Sequence, residues 1–148
     1  MEQLVEQMKV VLADTVTFYQ KTHQFHWNVE GPDFFQYHQL FQKIYEEVYG
    51  AVDKIGEQIR ALDAYAPFGH GRLAELTSIM DAPVNPPALV MARSLMMDNE
   101  KVLASLMEAY RLAERYNEIG LSNFIQDRYD AHKHHQYLLR ATLKGQEQ

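Results

Sequence analysis

One tight turn, His26-Trp27-Asn28-Val29-Glu30-Gly31-Pro32, separates two periodic segments of the chain. Gly31-Pro32 cannot continue a helix, so one helix ends there and another begins beyond it. On both sides, mostly apolar side chains recur at steps of three, four or seven, the spacing of one helix face. They are Leu4, Met8, Val11, Thr15, Phe18, Thr22 and Phe25, then Phe34, Phe41, Ile44, Val48, Ile55, Ile59 and Leu62. The pattern predicts a helix over residues 3–28 and a second, N-capped by Asp33, to residue 62.

The remaining sequence predicts two more long helices and one short one. From Asp63 to Pro87 the chain is rich in glycine and proline, and only Leu73 to Met80 leaves room for a short helix. A third long helix is predicted over residues 88–116. A fourth follows a turn at Asn117 to Gly120 and runs to residue 143. This order is typical of an all-α, ferritin-like four-helix bundle with a short helix in the long crossover between helices two and three.

Composition narrows the class of protein. A chain of 148 residues, 47% of them hydrophobic, suits one core better than two, which predicts a single domain over residues 1–148. The absence of cysteine excludes disulfides, thiolate zinc sites and cysteine nucleophiles. A net charge of -6 disfavours a general phosphate-binding surface and favours metal cations. Since neither a secretory signal pattern nor a segment of transmembrane length is visible, we expect a cytoplasmic protein without a membrane partner.

A polar stripe follows the second helix beside its apolar face, again at steps of three and four. Its members are His38, Gln42, Glu46, Tyr49, Asp53 and Glu57. For any one of them, a solvated surface position is the ordinary interpretation. Together with His26, however, the stripe combines imidazole and carboxylate groups that suit iron, and zinc or manganese could occupy the same ligands. The pattern therefore indicates a metal centre that uses His26, His38, Asp53 and Glu57.

The spacing of these ligands predicts a homodimer. Fifteen residues separate His38 from Asp53, which at about 1.5 Å per residue is roughly 22 Å along a straight helix. No metal ion spans that distance. If a second copy packs antiparallel about a two-fold axis, residue 38 of one chain lies beside residues 53–57 of the other. Two equivalent sites would then lie at the interface.

The other histidines and the tryptophan carry weaker expectations. His23 could bind the metal or support a ligand, but a surface position is the preferred interpretation. Trp27 is expected to pack at the interface, where its indole N–H could donate to a metal-bound water or carboxylate. In His132-Lys133-His134-His135 only the first and last residues share a helix face, and we favour a solvated or intersubunit role over a second metal site. His70 indicates nothing specific.

Several motifs closely resemble the Dps family, the mini-ferritins named as DNA-binding proteins from starved cells. They are Lys21-Thr22-His23-Gln24-Phe25-His26-Trp27-Asn28-Val29-Glu30-Gly31-Pro32, His38, Phe41, Asp53, Glu57, Ile59-Arg60-Ala61-Leu62, Arg128-Tyr129-Asp130-Ala131-His132 and Leu138-Leu139-Arg140-Ala141. The resemblance extends over nearly the whole chain. It implies a hollow dodecamer, built from two-fold dimers, that oxidises Fe(II) with hydrogen peroxide or oxygen, stores ferric mineral and protects against oxidative damage.

The resemblance also implies roles for individual residues. In that family the ferroxidase centre lies between two subunits. By motif match, His26 and His38 would come from one subunit, and Asp53 and Glu57 from its partner, with Glu57 as the principal carboxylate. The family's three-fold channels have acidic residues near the start of the last helix. The corresponding pore candidates are Glu118, Asp127 and Asp130.

This chain departs from the family pattern at two points. Where the family commonly has Asp or Glu, four residues after the second histidine, this chain has Gln42. A neutral amide binds metal more weakly than a carboxylate and adds no charge, and Glu46 is a candidate to compensate. Neither terminus carries a Lys/Arg-rich extension, so we expect no strong binding to duplex DNA near neutral pH and physiological salt.

Two other functions remain to be compared with the ferroxidase interpretation. One is a shell-forming or nucleoid-associated structural protein whose ferroxidase centre is weakened by Gln42. Such a protein would not speed the consumption of peroxide by Fe(II). The other is a single-chain di-iron oxygenase. It is disfavoured because such sites use Glu-x-x-His motifs, and no glutamate here has a histidine three positions later.

Overall fold

The computed structural model describes residues 1–146, and over that range the chain forms five helices and no strand. They are α1 (Glu2–Asn28), α2 (Phe34–Ala61), α3 (Gly69–Leu76), α4 (Ala88–Arg115) and α5 (Ile119–Leu143). In the bundle, α1 packs against α2 and α4, while α4 also packs against α5. The short α3 lies against α1 within the crossover. The predicted all-α bundle is therefore confirmed.

The core lies between the four long helices and follows the periodicity of the sequence. Within residues 1–146, no helix is both long and apolar enough to cross a membrane. The largest fully buried side chains are Phe18, Phe41, Leu4, Met8, Ile44, Ile55, Ile59, Met91, Leu95, Leu106, Ile125 and Leu139. All of those on α1 and α2 belong to the predicted apolar faces, so these faces pack inward and leave the polar stripe of α2 outside.

The turn between α1 and α2 forms as its sequence predicts, apart from one cap. Val29 leaves the helix in an extended conformation, and Gly31 has a φ of 115°, which favours glycine because a Cβ is strained there. Asp33 occupies the N-cap position of α2, but its side chain makes no capping hydrogen bond. The turn thus brings the last turn of α1 beside the first turn of α2.

The predicted position of the short helix is wrong. It was expected at Leu73 to Met80 but runs from Gly69 to Leu76, because a buried carboxylate on α1 holds the chain that follows. Asp14 Oδ1 accepts from the Thr77 hydroxyl at 2.8 Å and from the Ser78 backbone N–H at 2.7 Å. Asp14 Oδ2 accepts from the hydroxyls of Ser78 and of Ser105 on α4. These bonds end the helix and keep the next residues extended.

A buried ion pair fixes the same crossover at a second point. Lys21 Nζ on α1 lies 2.7 Å from Asp98 Oδ2 on α4 and donates to the Met80 carbonyl at 2.9 Å. Both charged side chains are almost fully buried. The crossover is therefore held to α1 at two positions, about two helical turns apart along α1.

The structure contradicts the solvated or intersubunit role favoured for the histidine tract near the end of the chain. His132 is fully buried and His135 is 2% exposed, whereas His134 is exposed. His135 Nε2 donates to Glu47 Oε1 on α2 at 2.7 Å, and His132 Nδ1 donates to Asn99 Oδ1 on α4 at 2.7 Å. The two imidazoles therefore connect α5 to its neighbouring helices inside a single chain.

Arg128 completes this cluster. Its guanidinium donates to both carboxylate oxygens of Glu47, at 2.6 and 3.1 Å, and to His132 Nε2 at 3.2 Å. A histidine that donates through Nδ1 and accepts at Nε2 is neutral. Burial, followed by the positive charge of Arg128, lowers the pKa of His132 well below its ordinary value of 6.5.

Acidification is expected to weaken the fold through this cluster. Below about pH 6.5 the unfolded chain takes up a proton at His132 that the folded chain does not. The free energy of unfolding is therefore highest above that pH and decreases below it. The loss is about 1.4 kcal/mol per pH unit while folded His132 stays neutral. Burial raises the pKa of Glu47, but hydrogen bonds from His135 and Arg128 outweigh it and hold that pKa well below 4.5, so a second loss follows as the pH falls below 4.5.

Urea unfolding across this pH range, at one protein concentration, measures the effect. His132→Gln should remove much of the slope between about pH 6.5 and 5, because glutamine does not titrate. His134→Gln, at an exposed neighbouring position, should retain it. An unchanged slope in His132→Gln would assign the acid sensitivity to other groups.

Candidate metal centre

Two histidines lie together at the end of the bundle that carries the α1–α2 turn. His26 Nδ1 donates to the backbone carbonyl of His38 at 2.7 Å, and His38 Nδ1 donates to that of His26 at 2.8 Å. Their rings stack, with centroids 3.8 Å apart and planes at 16°. Because a carbonyl only accepts hydrogen bonds, Nδ1 carries a hydrogen in each ring, and in the neutral form of the ring this leaves Nε2 as the nitrogen that can bind a metal.

This arrangement prepares both imidazoles to bind a metal. A histidine ligand usually donates its other ring N–H to a carbonyl or carboxylate, which fixes the tautomer and the ring orientation. Both rings already have such a bond. His26 is 8% exposed, His38 is half-buried, and Phe34 stacks on His38 with centroids 4.8 Å apart. The packing therefore limits the freedom of the two rings before any ion arrives.

The carboxylates predicted for the same centre lie elsewhere in the chain. Asp53 and Glu57 are exposed, one turn apart on α2. Since α2 is unbroken from Phe34 to Ala61, its rise of about 1.5 Å per residue places Asp53 roughly 22 Å along the axis from His38. Within residues 1–146, no three histidine, aspartate or glutamate side chains lie close enough to hold a metal ion. One chain thus presents the two halves of the predicted ligand set at separate places.

Gln42 and Glu46 occupy the stripe between these halves. Gln42 Nε2 donates to Glu46 Oε1 at 2.8 Å. The bond uses the amide nitrogen, which does not bind metals. It leaves Gln42 Oε1 as the atom of the amide that could coordinate a metal ion. Glu46 keeps its negative charge on an exposed face.

His23 is half-buried, so its ring is partly at the surface and partly packed against neighbouring side chains. Its ring stacks on Tyr45 of α2 with centroids 4.0 Å apart and contacts Trp27 at 4.4 Å. The Tyr19 hydroxyl lies 3.2 Å from His23 Nδ1. Burial, followed by the electrostatic effect of the neighbouring His26 ring, lowers the pKa of His23. Trp27 is 62% exposed in the single chain.

Sequence reasoning missed Tyr19 and Tyr45 as neighbours of this site. A signal was present, because Tyr19, His23 and His26 follow each other at steps of four and three on α1, and Tyr45 lies seven residues after His38 on α2. Tyrosine is common in helix faces that pack against each other, so the spacing alone does not separate these residues from ordinary core positions.

The three pore candidates lie along the first half of α5. Glu118 is the N-cap residue of that helix, and Asp127 and Asp130 are exposed on it. Asp127 also lines a groove between α2 and α5 together with Lys54 and Arg128. These positions in one chain do not identify a pore, so the assignment of the three residues to a pore stays a prediction.

Comparisons with known proteins agree with this architecture. A sequence profile described as Ferritin-like domain matches residues 5–147. DNA protection during starvation protein 2 of Bacillus anthracis is 30% identical over 142 residues, covering 96% of this chain and 97% of that protein. The Dps protein structure from Bacillus brevis is similar with a TM-score of 0.91 at 25% identity, covering 96% of this chain and 95% of that one. Antigen TpF1 from Treponema pallidum gives a TM-score of 0.92 at 26% identity, with coverage of 97% and 93%. This chain therefore belongs to the Dps group of the ferritin-like family.

Proposed function

We propose that this protein is a cytoplasmic mini-ferritin with ferroxidase activity. Copies of the chain assemble into a hollow dodecamer, oxidise Fe(II) with hydrogen peroxide or oxygen at centres shared between two subunits, and store the ferric product as mineral, which limits oxidative damage. The reciprocal hydrogen bonds of His26 and His38 carry the proposal. They orient two imidazoles for a metal ion at a place where, among residues 1–146, no group of three histidine, aspartate or glutamate side chains comes close enough to hold one.

Two-fold pairing of α2 supplies the missing ligands. With residue 38 of one helix opposite residues 53–57 of an antiparallel copy, the axis passes near residues 46 and 47 of both helices. The surface that would be covered carries exposed aromatic side chains, since Trp27 is 62%, Phe35 70% and Tyr49 60% exposed. Exposed aromatic groups clustered on one face are typical of a protein–protein interface.

The ligands proposed for the shared centre match the chemistry of iron oxidation. The neutral imidazoles of His26 and His38 bind Fe(II), while the carboxylates of Asp53 and Glu57 from the partner favour the more highly charged Fe(III). Zinc and manganese would compete for the same atoms. Fe(II) would enter along an acidic path that includes Glu118, Asp127 and Asp130. The net charge of -6 would draw the ion toward the shell.

Crystals soaked with iron or zinc test this arrangement directly. Anomalous scattering should place the metal beside His26 and His38 of one subunit and Asp53 and Glu57 of the other, in a twelve-subunit shell whose mass is checked in solution. Metal bound only by groups of one subunit, in a monomeric protein that still oxidises iron at full rate, would refute the shared centre.

Gln42→Glu should tighten iron binding by about tenfold or more, because it adds one negative charge within a few ångströms of the metal. Titration with Fe(II) under anaerobic conditions measures the affinity per centre. Gln36→Glu adds the same charge at an exposed position near the start of α2, outside the polar stripe, and should change the affinity much less. Equal effects of the two substitutions would show that only the overall charge matters.

The alternative function, a shell-forming or nucleoid-associated protein with a weakened ferroxidase centre, is favoured by one observation. Gln42 is neutral where the family resemblance implies an acidic residue, and its amide nitrogen donates a hydrogen bond to Glu46. Stopped-flow measurement of peroxide consumption by Fe(II) separates the two functions, because an inert shell does not accelerate it. Duplex DNA should show little retardation in a gel-shift assay near neutral pH and physiological salt, since the chain carries a net charge of -6.

A further inference from the structure

The rotation of α2 about its own axis sets where most of the proposed ligands point. Three of the four, His38, Asp53 and Glu57, lie on this one helix. Side chains end roughly 5 to 6 Å from the axis of a helix, so a rotation of about 10° moves a carboxylate by about 1 Å. A displacement of that size can lower the rate of a reaction about 100-fold. A centre shared between two copies of α2 therefore requires a contact that fixes this rotation.

The contact with α1 fixes only one end of α2. The reciprocal hydrogen bonds of His26 and His38 hold the first turns of α2 to α1. The buried apolar side chains of α2 pack into the core, but apolar contacts have no preferred direction and permit small rotations. Asp53 lies roughly 22 Å along the helix from the histidine bonds. The half of α2 that carries the carboxylates needs a directional attachment of its own.

A directional attachment of this kind joins the middle of α2 to α5. Arg128 donates to both carboxylate oxygens of Glu47, at 2.6 and 3.1 Å, and His135 donates to one of them at 2.7 Å. The side chains of Arg128 and His135 are only 9% and 3% exposed, so the surrounding bundle holds both in place. A guanidinium that holds two oxygens fixes the orientation of a carboxylate as well as its distance.

The rest of the contact between α2 and α5 is loose. Overall, α2 packs much less closely against α5 than against α1. Beyond Glu47, toward Asp53, the two helices border a groove of about 510 Å³ that is lined in part by the small residues Gly50, Ala51 and Ala131. Within residues 1–146, the side-chain hydrogen bonds and ion pairs between α2 and α5 are all made by Glu47. Glu47 lies six residues before Asp53, about 9 Å along the helix.

We propose that Arg128 is a positioning residue of the shared centre. Together with His135 it holds Glu47 and thereby fixes the rotation of α2 that aims Asp53 and Glu57 at the imidazoles of the second copy. This inference rests on the proposed ferroxidase function. Arg128 itself does not touch the iron or its ligands, and it acts only through Glu47. The cluster that joins α2 to α5 thus also sets the geometry of the metal centre.

Binding of Co(II) without any oxidant tests the proposal in the assembled protein, because the visible absorption of this ion depends on the number and arrangement of its ligands. Glu47→Met/Arg128→Met replaces the ion pair by apolar side chains, a change that often preserves the stability of a buried pair. Shells of this variant should bind Co(II) at least about tenfold more weakly, as expected when a residue that orients metal ligands is lost. Their absorption spectrum should also differ from that of the parent protein.

Gln136→Met is the matched control. Gln136 lies on the same helix as Arg128 and is 8% exposed, but it hydrogen-bonds to Asn99 and Glu100 of α4. Its substitution should lower Tm and leave the affinity and spectrum of Co(II) unchanged. Arg128→Lys keeps the positive charge but cannot hold both oxygens of Glu47. Its affinity for Co(II) should lie between those of the parent and the double variant.

The opposite results would overturn the role of Arg128. Co(II) binding like that of the parent in either Arg128→Lys or the assembled double variant would do so, and Arg128→Lys decides alone if the double variant does not assemble. An equal loss of affinity in Gln136→Met would assign the effect to a general loosening of the bundle. Failure of the parent to bind Co(II), or binding that His38→Ala leaves unchanged, would instead refute the proposed centre itself.

Discussion

Two inactive variants of this protein should regain about a quarter of the parent's Fe(II) oxidation rate when their chains are mixed. The first variant is His26→Ala/His38→Ala, and the second is Asp53→Asn/Glu57→Gln. Each alone should be slower than the parent by about 100-fold or more, since even residues that only support metal ligands change activity by about 10- to 100-fold. In a mixed dimer, one of the two centres receives intact imidazoles from one chain and intact carboxylates from the other. Random pairing of equal amounts makes half of the dimers mixed, and each mixed dimer has one intact centre out of two. About a quarter of all centres are therefore intact.

The chains are mixed by co-expression, and oxidation is followed after the composition of the shells has been determined by mass. A matched control mixes His26→Ala with His38→Ala. Both imidazoles of a proposed centre come from one chain, so no pairing of these two variants restores a centre, and the mixture should remain inactive. Recovery in the control, or none in the first mixture despite mixed dimers, would disprove the assignment of ligands to the two chains.

Asp14→Asn should destabilise the fold severely, by about 3 kcal/mol or more. Asp14 is fully buried and accepts four hydrogen bonds, from Thr77, Ser78 and Ser105. A hydrogen bond to a charged group contributes about 1.5 to 3 kcal/mol. The amide has nearly the same size but replaces one acceptor oxygen by a donor, so either the buried Ser105 hydroxyl or the partly buried donors of Thr77 and Ser78 lose their acceptor.

Thermal unfolding measures this loss as a decrease in Tm of roughly 6 to 12 °C for a chain of this size. Asp81→Asn is the matched control, because Asp81 is an exposed aspartate of the same crossover. It should change stability by less than about 0.5 kcal/mol. Limited proteolysis should also cut the crossover faster in Asp14→Asn, since that segment loses its main polar attachment. Equal stability of the two variants would show that the Asp14 hydrogen bonds add little to the fold.

The long helices could be predicted because their information is local. Steps of three and four between apolar residues identify a helix face whatever that face packs against, and Gly31-Pro32 marks a break with equal clarity. The short α3 could not be placed in the same way. Its end depends on Asp14, more than sixty residues away in the sequence, and a contact of that range leaves no trace in the periodicity of the crossover itself.

The same limit explains the error at His132 and His135. Polar residues on a helix face are usually exposed, so the sequence favoured a solvated or intersubunit position for them. The structure buries both because partners on two other helices, Glu47 and Asn99, each accept a hydrogen bond from one ring nitrogen. Nothing in the tract itself identifies those partners.

The candidate site was predictable in part. The turn places His26 near His38, and the sequence indicated both residues, but the reciprocal bonds from Nδ1 to the backbone carbonyls could be seen only in the folded chain. The distance from His38 to Asp53 follows from helix geometry alone. Whether Asp53 and Glu57 of a second copy complete the centre is still a prediction, because the described fold is that of one chain.

The unbroken α2 has a consequence for when this protein becomes active. Since its imidazole and carboxylate ends are too far apart to cooperate within one molecule, a freshly made polypeptide is chemically inert toward iron under the shared-centre proposal. At low abundance, turnover should rise with the square of protein concentration and become linear once pairing is complete. If the proposed centre is correct, the separation of its ligands along one rigid helix would delay iron oxidation until a partner is present.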